Sequence, residues 1–123
     1  MKRIKDVAKA FLQLAASGRA QEAFEQHVRP GFRHHNPYFA SGAKALMDGM
    51  DENVRENPNK HLEVLRAIEE GDLVAVHSFV RHKRDDPSAV VVHIFRFEGD
   101  RIAELWDVGQ AVPDESVNAD GAR

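Results

Sequence analysis

The sequence predicts an α+β fold: three helices, then a mostly antiparallel sheet that curls around them. Two observations carry this. Apolar residues recur at three- and four-residue steps up to about Asn59, and at two-residue steps after it. The tight turns Gly71-Asp72 and Gly99-Asp100 then separate apolar runs of strand length. Helices grouped ahead of hairpin-linked strands make an α+β order rather than an alternating one.

Each element has its own signals. Ile4, Val7, Ala8, Phe11, Leu14 and Ala15 share one face of a first helix. Ser17-Gly18 ends it, and Gly18 suits the left-handed position after a helix. A second helix runs from about Ala20 to Val28, and Pro30-Gly31 stops it. "FRHHNPYFASG" reads as a short extended piece followed by turns, with Asn36 kept extended by Pro37. Ser41 is the candidate cap of a third helix, Ala43 to Glu56, whose face is Leu46, Met47, Met50 and Val54. Asn57-Pro58-Asn59 ends that helix.

Four strands follow. In "HLEVLRAIEE", Leu62, Val64 and Ile68 alternate with Glu63 and Glu69. "LVAVHSFVRHK" is the second, and Pro87 in the loop "RDDPSA" bars further pairing. "VVVHIFRFE" and "RIAELWDVGQAV" are the third and fourth. The chain has 123 residues, enough for one domain with a real core. Residues 1–118 are expected to form that domain, with 119–123 a frayed tail.

Composition excludes several functions. Lys and Arg number 17 against 20 Asp and Glu, scattered without a basic stripe, so no nucleic-acid partner is expected. There is no cysteine, which removes disulfides, thiolate zinc sites and cysteine nucleophiles, and fits a cytoplasmic protein. The amino-terminal apolar residues are spaced as in a helix, not continuous as in a secretory leader. No apolar run is long enough to span a bilayer, so no membrane partner is expected.

The chemistry-bearing residues lie on the strands. His77 alternates in step with Leu73, Ala75 and Phe79, and His93 with Val91, Phe95 and Phe97. Both histidines are therefore expected inside, where an unpaired polar group costs about 1–3 kcal/mol. Hairpins set His77 near His93, and His93 near Trp106 or Asp107. Two readings stay open from spacing alone. The histidines are core residues satisfied by backbone carbonyls, and Asp107, which alternates with Trp106, faces solvent. Or the three groups line one row of a concave sheet, with a bulge near Gly109 turning Asp107 inward. His34 and His35 are neighbours on an extended segment and point to opposite sides. No helix carries His-x-x-x-His, so no metal site is expected. His27, His61 and His82 lie among polar residues and are expected to face solvent.

The ordered set "FRHHNP", "EEGDLVAVHS" and "FRFEGDRIAELWDVGQAVP" resembles the SnoaL-like polyketide cyclase family. This is a branch of the nuclear-transport-factor-2-like superfamily, and the likeness is narrowest to its predicted SnoaL-like aldol-condensation enzymes. The resemblance spans about residues 3 to 118. It implies a cone, a strongly curved mixed sheet wrapped around the helices with a pocket inside, which pairs as a homodimer through its outer sheet face. It also implies a general acid/base at Asp107 and a substrate-holding histidine at His93. His35 and Asn36 fall where the family presents polar groups at the pocket mouth.

The resulting expectation is an enzyme that uses acid/base chemistry, without a cofactor, on a small apolar or carbonyl-containing molecule. Asp107 and His93 are the catalytic candidates; His35, Asn36, His77, Trp106 and Phe95 are the substrate-binding ones. A carboxylate of ordinary pKa, about 3.9, is a weak base at neutral pH, so an apolar surround is expected from Trp106, Phe95, Phe97 and Leu105. The alternatives are a non-catalytic binding module and a structural domain. A homodimer is expected because Val74, Val76 and Val80, with Val90, Val92 and Ile94, suggest a second apolar face needing cover.

Overall fold

Three helices and five strands follow one another as α1 (Ile4–Ala16), α2 (Ala20–His27), β1 (Val28–His34), α3 (Ala43–Glu56), β2 (His61–Glu70), β3 (Leu73–Arg81), β4 (Ala89–Glu98) and β5 (Arg101–Ala111). The computed structural model describes residues 3–81, 88–113 and 115–123. The strands form one curved, unclosed sheet in the order β1-β5-β4-β3-β2. β1 runs parallel to β5 and the other neighbours are antiparallel. His82, and most of the loop expected over 84–89, lie outside the described residues. No described helix is long and apolar enough to cross a membrane.

α1 forms because one stripe of it is apolar. Val7, Ala8, Phe11, Leu12 and Ala15 are buried against the sheet and α2. Phe11 sits at the centre, its ring edge-on to Phe24 at 5.2 Å and to Phe95 at 5.8 Å. Truncating such a residue to alanine costs about 3–5 kcal/mol. Gly18 (φ 84) closes the helix, with Arg19 N–H donating to Leu14 O and Gly18 N–H to Ala15 O. Gly42, not Ser41, precedes α3, at φ 99, and no side chain caps that helix. Val28 has already left the helix at φ −108, ψ 139, so α2 ends one residue before the expected limit.

β1 was not expected as a strand, because Pro30-Gly31 reads as a stop. Its pairing passes over them: Val28 faces Ile102, and the next matched pair is Arg33 with Glu104. The surplus is taken up around Gly31, at φ 84. β1 is an edge strand, where proline is tolerated.

Two further bulges decide which way side chains face. On β2, Leu65 is the extra residue between the pairs Val64–Ser78 and Arg66–His77. Beyond it Ala67 turns toward the helices and Ile68 away, 62% exposed, against the alternation expected for Ile68. On β5, Ala103 is the extra residue between the pairs Phe97–Ile102 and Arg96–Glu104. Ile102, Leu105 and Asp107 thereby share the inner face although their spacing is uneven.

β3 corrects a second expectation. Its helix-facing residues are Val74, Val76, Ser78 and Val80, all buried. His77 therefore stands on the outer face with Leu73, Ala75 and Phe79. There its Nδ1 accepts from Arg66 Nη1 at 2.6 Å. His27 is buried rather than solvent-facing, while His61 is exposed. The carboxy-terminal tail, expected to fray, returns to the sheet: Arg123 pairs with Glu63 and lies 4.7 Å above the Phe79 ring.

Candidate functional site

A cavity of about 640 Å³ opens at the end of the sheet where β2 and β4 begin and β3 and β5 finish. Small-molecule sites commonly fall between about 300 and 1,000 Å³. Leu12, Ala15 and Ala16 from α1 form its apolar floor with Leu62, Val80 and Val91. Its polar side chains are Asn36, Tyr38, Asn53, Lys60, His93, Asp107 and Gln110.

His93 and Asp107 are directly opposed partners on β4 and β5. Cβ atoms of such pairs stand about 4.5–5.5 Å apart, so both side chains rise from one spot on the inner face. The bulge that turns Asp107 inward is at Ala103, upstream of it, and not near Gly109. His93 is 9% exposed, tilts against Phe95 at 6.2 Å, and its Nδ1 has no hydrogen-bond partner among the described residues. Burial pushes its imidazole down to about 4; the charge of Asp107 opposes the shift and that of Lys60 adds to it.

Asn36 orients the carboxylate. Its Nδ2 donates to Asp107 Oδ2 at 2.9 Å, while its Oδ1 accepts from Tyr38 N–H at 2.9 Å and shapes the turn after it. His34 latches that turn from behind. Its Nδ1 accepts from Asn36 N–H at 3.1 Å, and its Nε2 donates to Ala40 O at 2.8 Å. The bonds assign its proton to Nε2, since a carbonyl only accepts. Phe39 lies across α3 at Gly49, where a Cβ would come within 2.3 Å of the ring.

The expected site residues therefore separate into two groups. Asp107, His93 and Asn36 line the cavity, and Phe95 packs beneath His93. His77, Trp106 and His35 do not reach it. His77 and Trp106 alternate with inward residues and so face outward, which also withdraws Trp106 from the expected surround of Asp107. His35 stacks on Trp106 with ring centres 5.0 Å apart, and its Nε2 lies 2.5 Å from Glu104 Oε2. Arg96 Nε donates to the same carboxylate at 3.1 Å. The His35 hydrogen bond, followed by the arginines, holds the Glu104 carboxyl below its ordinary value. This outer cluster ties β1 to β5 and β4.

Lys60 and Asn53 are wall residues that sequence reasoning missed. Lys60 Nζ donates to Asn53 Oδ1 at 2.9 Å, and burial lowers its pKa. The one available signal was position: Lys60 follows the turn Asn57-Pro58-Asn59 and leads into β2, at the open end of the sheet.

No curated protein matches the chain. Among solved structures, a SnoaL-like polyketide cyclase from Agrobacterium tumefaciens is similar with a TM-score of 0.73 at 16% identity, covering 89% of this chain and 93% of that one. TsrD from Streptomyces laurentii is similar at 0.73 and 18%, covering 89% and 91%. An NTF2-like protein from Cytophaga hutchinsonii reaches 0.72 at 14%, covering 89% and 92%. At such identities the likeness is one of fold. The profile of the SnoaL-like domain matches residues 8–105, from α1 to the middle of β5, and the chain belongs to that family.

Proposed function

We propose that the chain is an acid/base enzyme that acts, without a cofactor, on a small carbonyl-containing compound held in the cavity. The reaction is of the aldol, cyclase or isomerase type. The observation that carries this is the opposed pair His93–Asp107 on the wall of an open cavity, with Asn36 fixing the carboxylate. A filled, dry interior would have favoured a structural domain instead.

The residues divide the work as follows. The Asp107 carboxylate takes a proton from the carbon beside the substrate carbonyl. The C–H electron pair becomes the enolate double bond, and the carbonyl electrons move onto oxygen. That oxygen accepts a hydrogen bond from His93, whose imidazole burial keeps neutral and able to donate from one ring nitrogen. For an aldol or cyclase step the enolate carbon adds to a second carbonyl carbon, whose π electrons move onto its own oxygen; the first carbonyl re-forms, and the new alkoxide takes the proton back from Asp107. For isomerisation the protonated Asp107 returns the proton to a different carbon of a conjugated enolate, and the carbonyl re-forms. Asn36 holds Asp107 Oδ2, so Oδ1 is the oxygen that receives the proton.

The Asn36 bond also supports a second reading, a binding module in which an amide-held carboxylate only orients its ligand. A screen of carbonyl compounds with the parent and Asp107→Asn separates the two. The enzyme reading predicts that the variant folds and loses about 100-fold or more in rate. Equal ligand affinity for both proteins, with no turnover in the parent, would establish the binder. A homodimer built on the outer sheet face belongs to the same proposal.

A further inference from the structure

Lys60 enters the cavity from the turn between α3 and β2, half-buried, with Asn53 Oδ1 as the acceptor for its ammonium. Among the described residues no carboxylate pairs with it. An ammonium carries three donors, so a single amide acceptor leaves two of them unmet by the described residues. The charges of the wall are also set apart. His93 feels both the attraction of Asp107 and the repulsion of Lys60, whereas burial alone shifts Lys60. In the strand order β5-β4-β3-β2, His93 on β4 lies between Asp107 on β5 and Lys60, which leads into β2, and all three line the cavity. On the same wall, His93 Nδ1 is a buried polar atom without a partner among the described residues.

We propose that Lys60 is an anion-binding subsite and that the ligand of this cavity is an oxo acid. Its carboxylate meets the Lys60 ammonium, and its ketone end faces His93 and Asp107. The placement of the ketone rests on the acid/base reading above; the placement of the carboxylate does not. Asp107 repels a carboxylate and Lys60 attracts it, so the two charges fix which way round the molecule lies. An ammonium–carboxylate hydrogen bond is shorter and about twice as strong as a neutral one. This gives the subsite its selectivity over an uncharged analogue.

Calorimetric titration with benzoylpropionate and with its primary amide tests the subsite, since the pair share a skeleton and a ketone and differ in charge. The parent is expected to bind the acid about tenfold or more tighter than the amide. Lys60→Gln should weaken the acid to the level of the amide and leave the amide within about twofold, while Lys60→Arg keeps the preference. Equal binding of acid and amide by the parent overturns the subsite and leaves the cavity reading standing, because the amide still binds. A preference that survives Lys60→Gln overturns it too, since another group then holds the carboxylate. If neither probe binds the parent at millimolar concentration, the subsite and the cavity reading fall together.

Discussion

Burial of His93 makes stability depend on pH in a defined window. Its folded value is about 4 against an ordinary 6.5. Above 6.5 the imidazole is neutral in both states and its contribution is fully present. As pH falls from 6.5 toward 4, the unfolded chain takes up a proton that the folded one refuses, and stability is lost. A shift of that size corresponds to roughly 3 kcal/mol. Below about 4 this group adds no further loss. Glu104 acts lower down: its carboxyl is held below the ordinary 4.5, so its stabilisation is present above that value and disappears on stronger acidification. Urea midpoints at pH 7.5 and 5 should fall by much less in His93→Gln than in the parent. An equal fall in both would place the titrating group elsewhere. At the same scale, Asn36→Ala removes the donor to Asp107 and the acceptor for Tyr38 N–H. It should lower affinity for a carbonyl probe several-fold with the fold intact by circular dichroism.

Element limits were largely legible, and facing was not. α3 and β2 have the limits that their periodicity predicts, although the cap expected at Ser41 is not made, because Asn57-Pro58-Asn59 and Gly71-Asp72 interrupt the pattern so sharply. β1 was hidden by Pro30-Gly31, since only the bulged parallel pairing with β5 lets a strand contain them. The extra residues Leu65 and Ala103 leave no mark in a sequence, because each is an apolar residue within an apolar run. Counting by twos across Ala103 puts Asp107 outside. On β3 both alternating sets are apolar, so nothing told Val74, Val76 and Val80 from Leu73, Ala75 and Phe79. That ambiguity carried His77 into the expected site. The packing of the 36–42 turn on α3 gives a test at this scale. Alanine in a helix interior gains up to about 1 kcal/mol over glycine, but at Gly49 its Cβ would overlap Phe39. Gly49→Ala should therefore stabilise by about 1 kcal/mol in a Phe39→Ala background, and gain less or lose in the parent. Denaturant midpoints of the four proteins check this; the same increment in both backgrounds would mean that Phe39 does not rest on Gly49.

At the scale of the whole molecule, helices cover one face of the sheet and leave the other. That outer face carries Phe79, Val92, Ile94 and Trp106, with Val108 63% exposed. A second copy of the chain, meeting it face to face, is the proposed cover. Light scattering at micromolar concentration should give a dimer, and Ile94→Glu should give a monomer whose cavity is unaltered. A monomeric parent would remove the dimer from the proposal. In the proposal, one face of the sheet would hold the assembly and the other, at its open end, the chemistry. The central claim is that Asp107 moves a proton beside a carbonyl. Its most direct measurement is deuterium exchange, by proton NMR in heavy water, at the carbon next to the ketone of the benzoylpropionate amide. The parent should accelerate loss of that signal over buffer, His93→Gln should do so less, and Asp107→Asn should lie about 100-fold or more below the parent. Exchange by Asp107→Asn at the parent's rate, or none above buffer in the parent while the amide is bound, would contradict the claim.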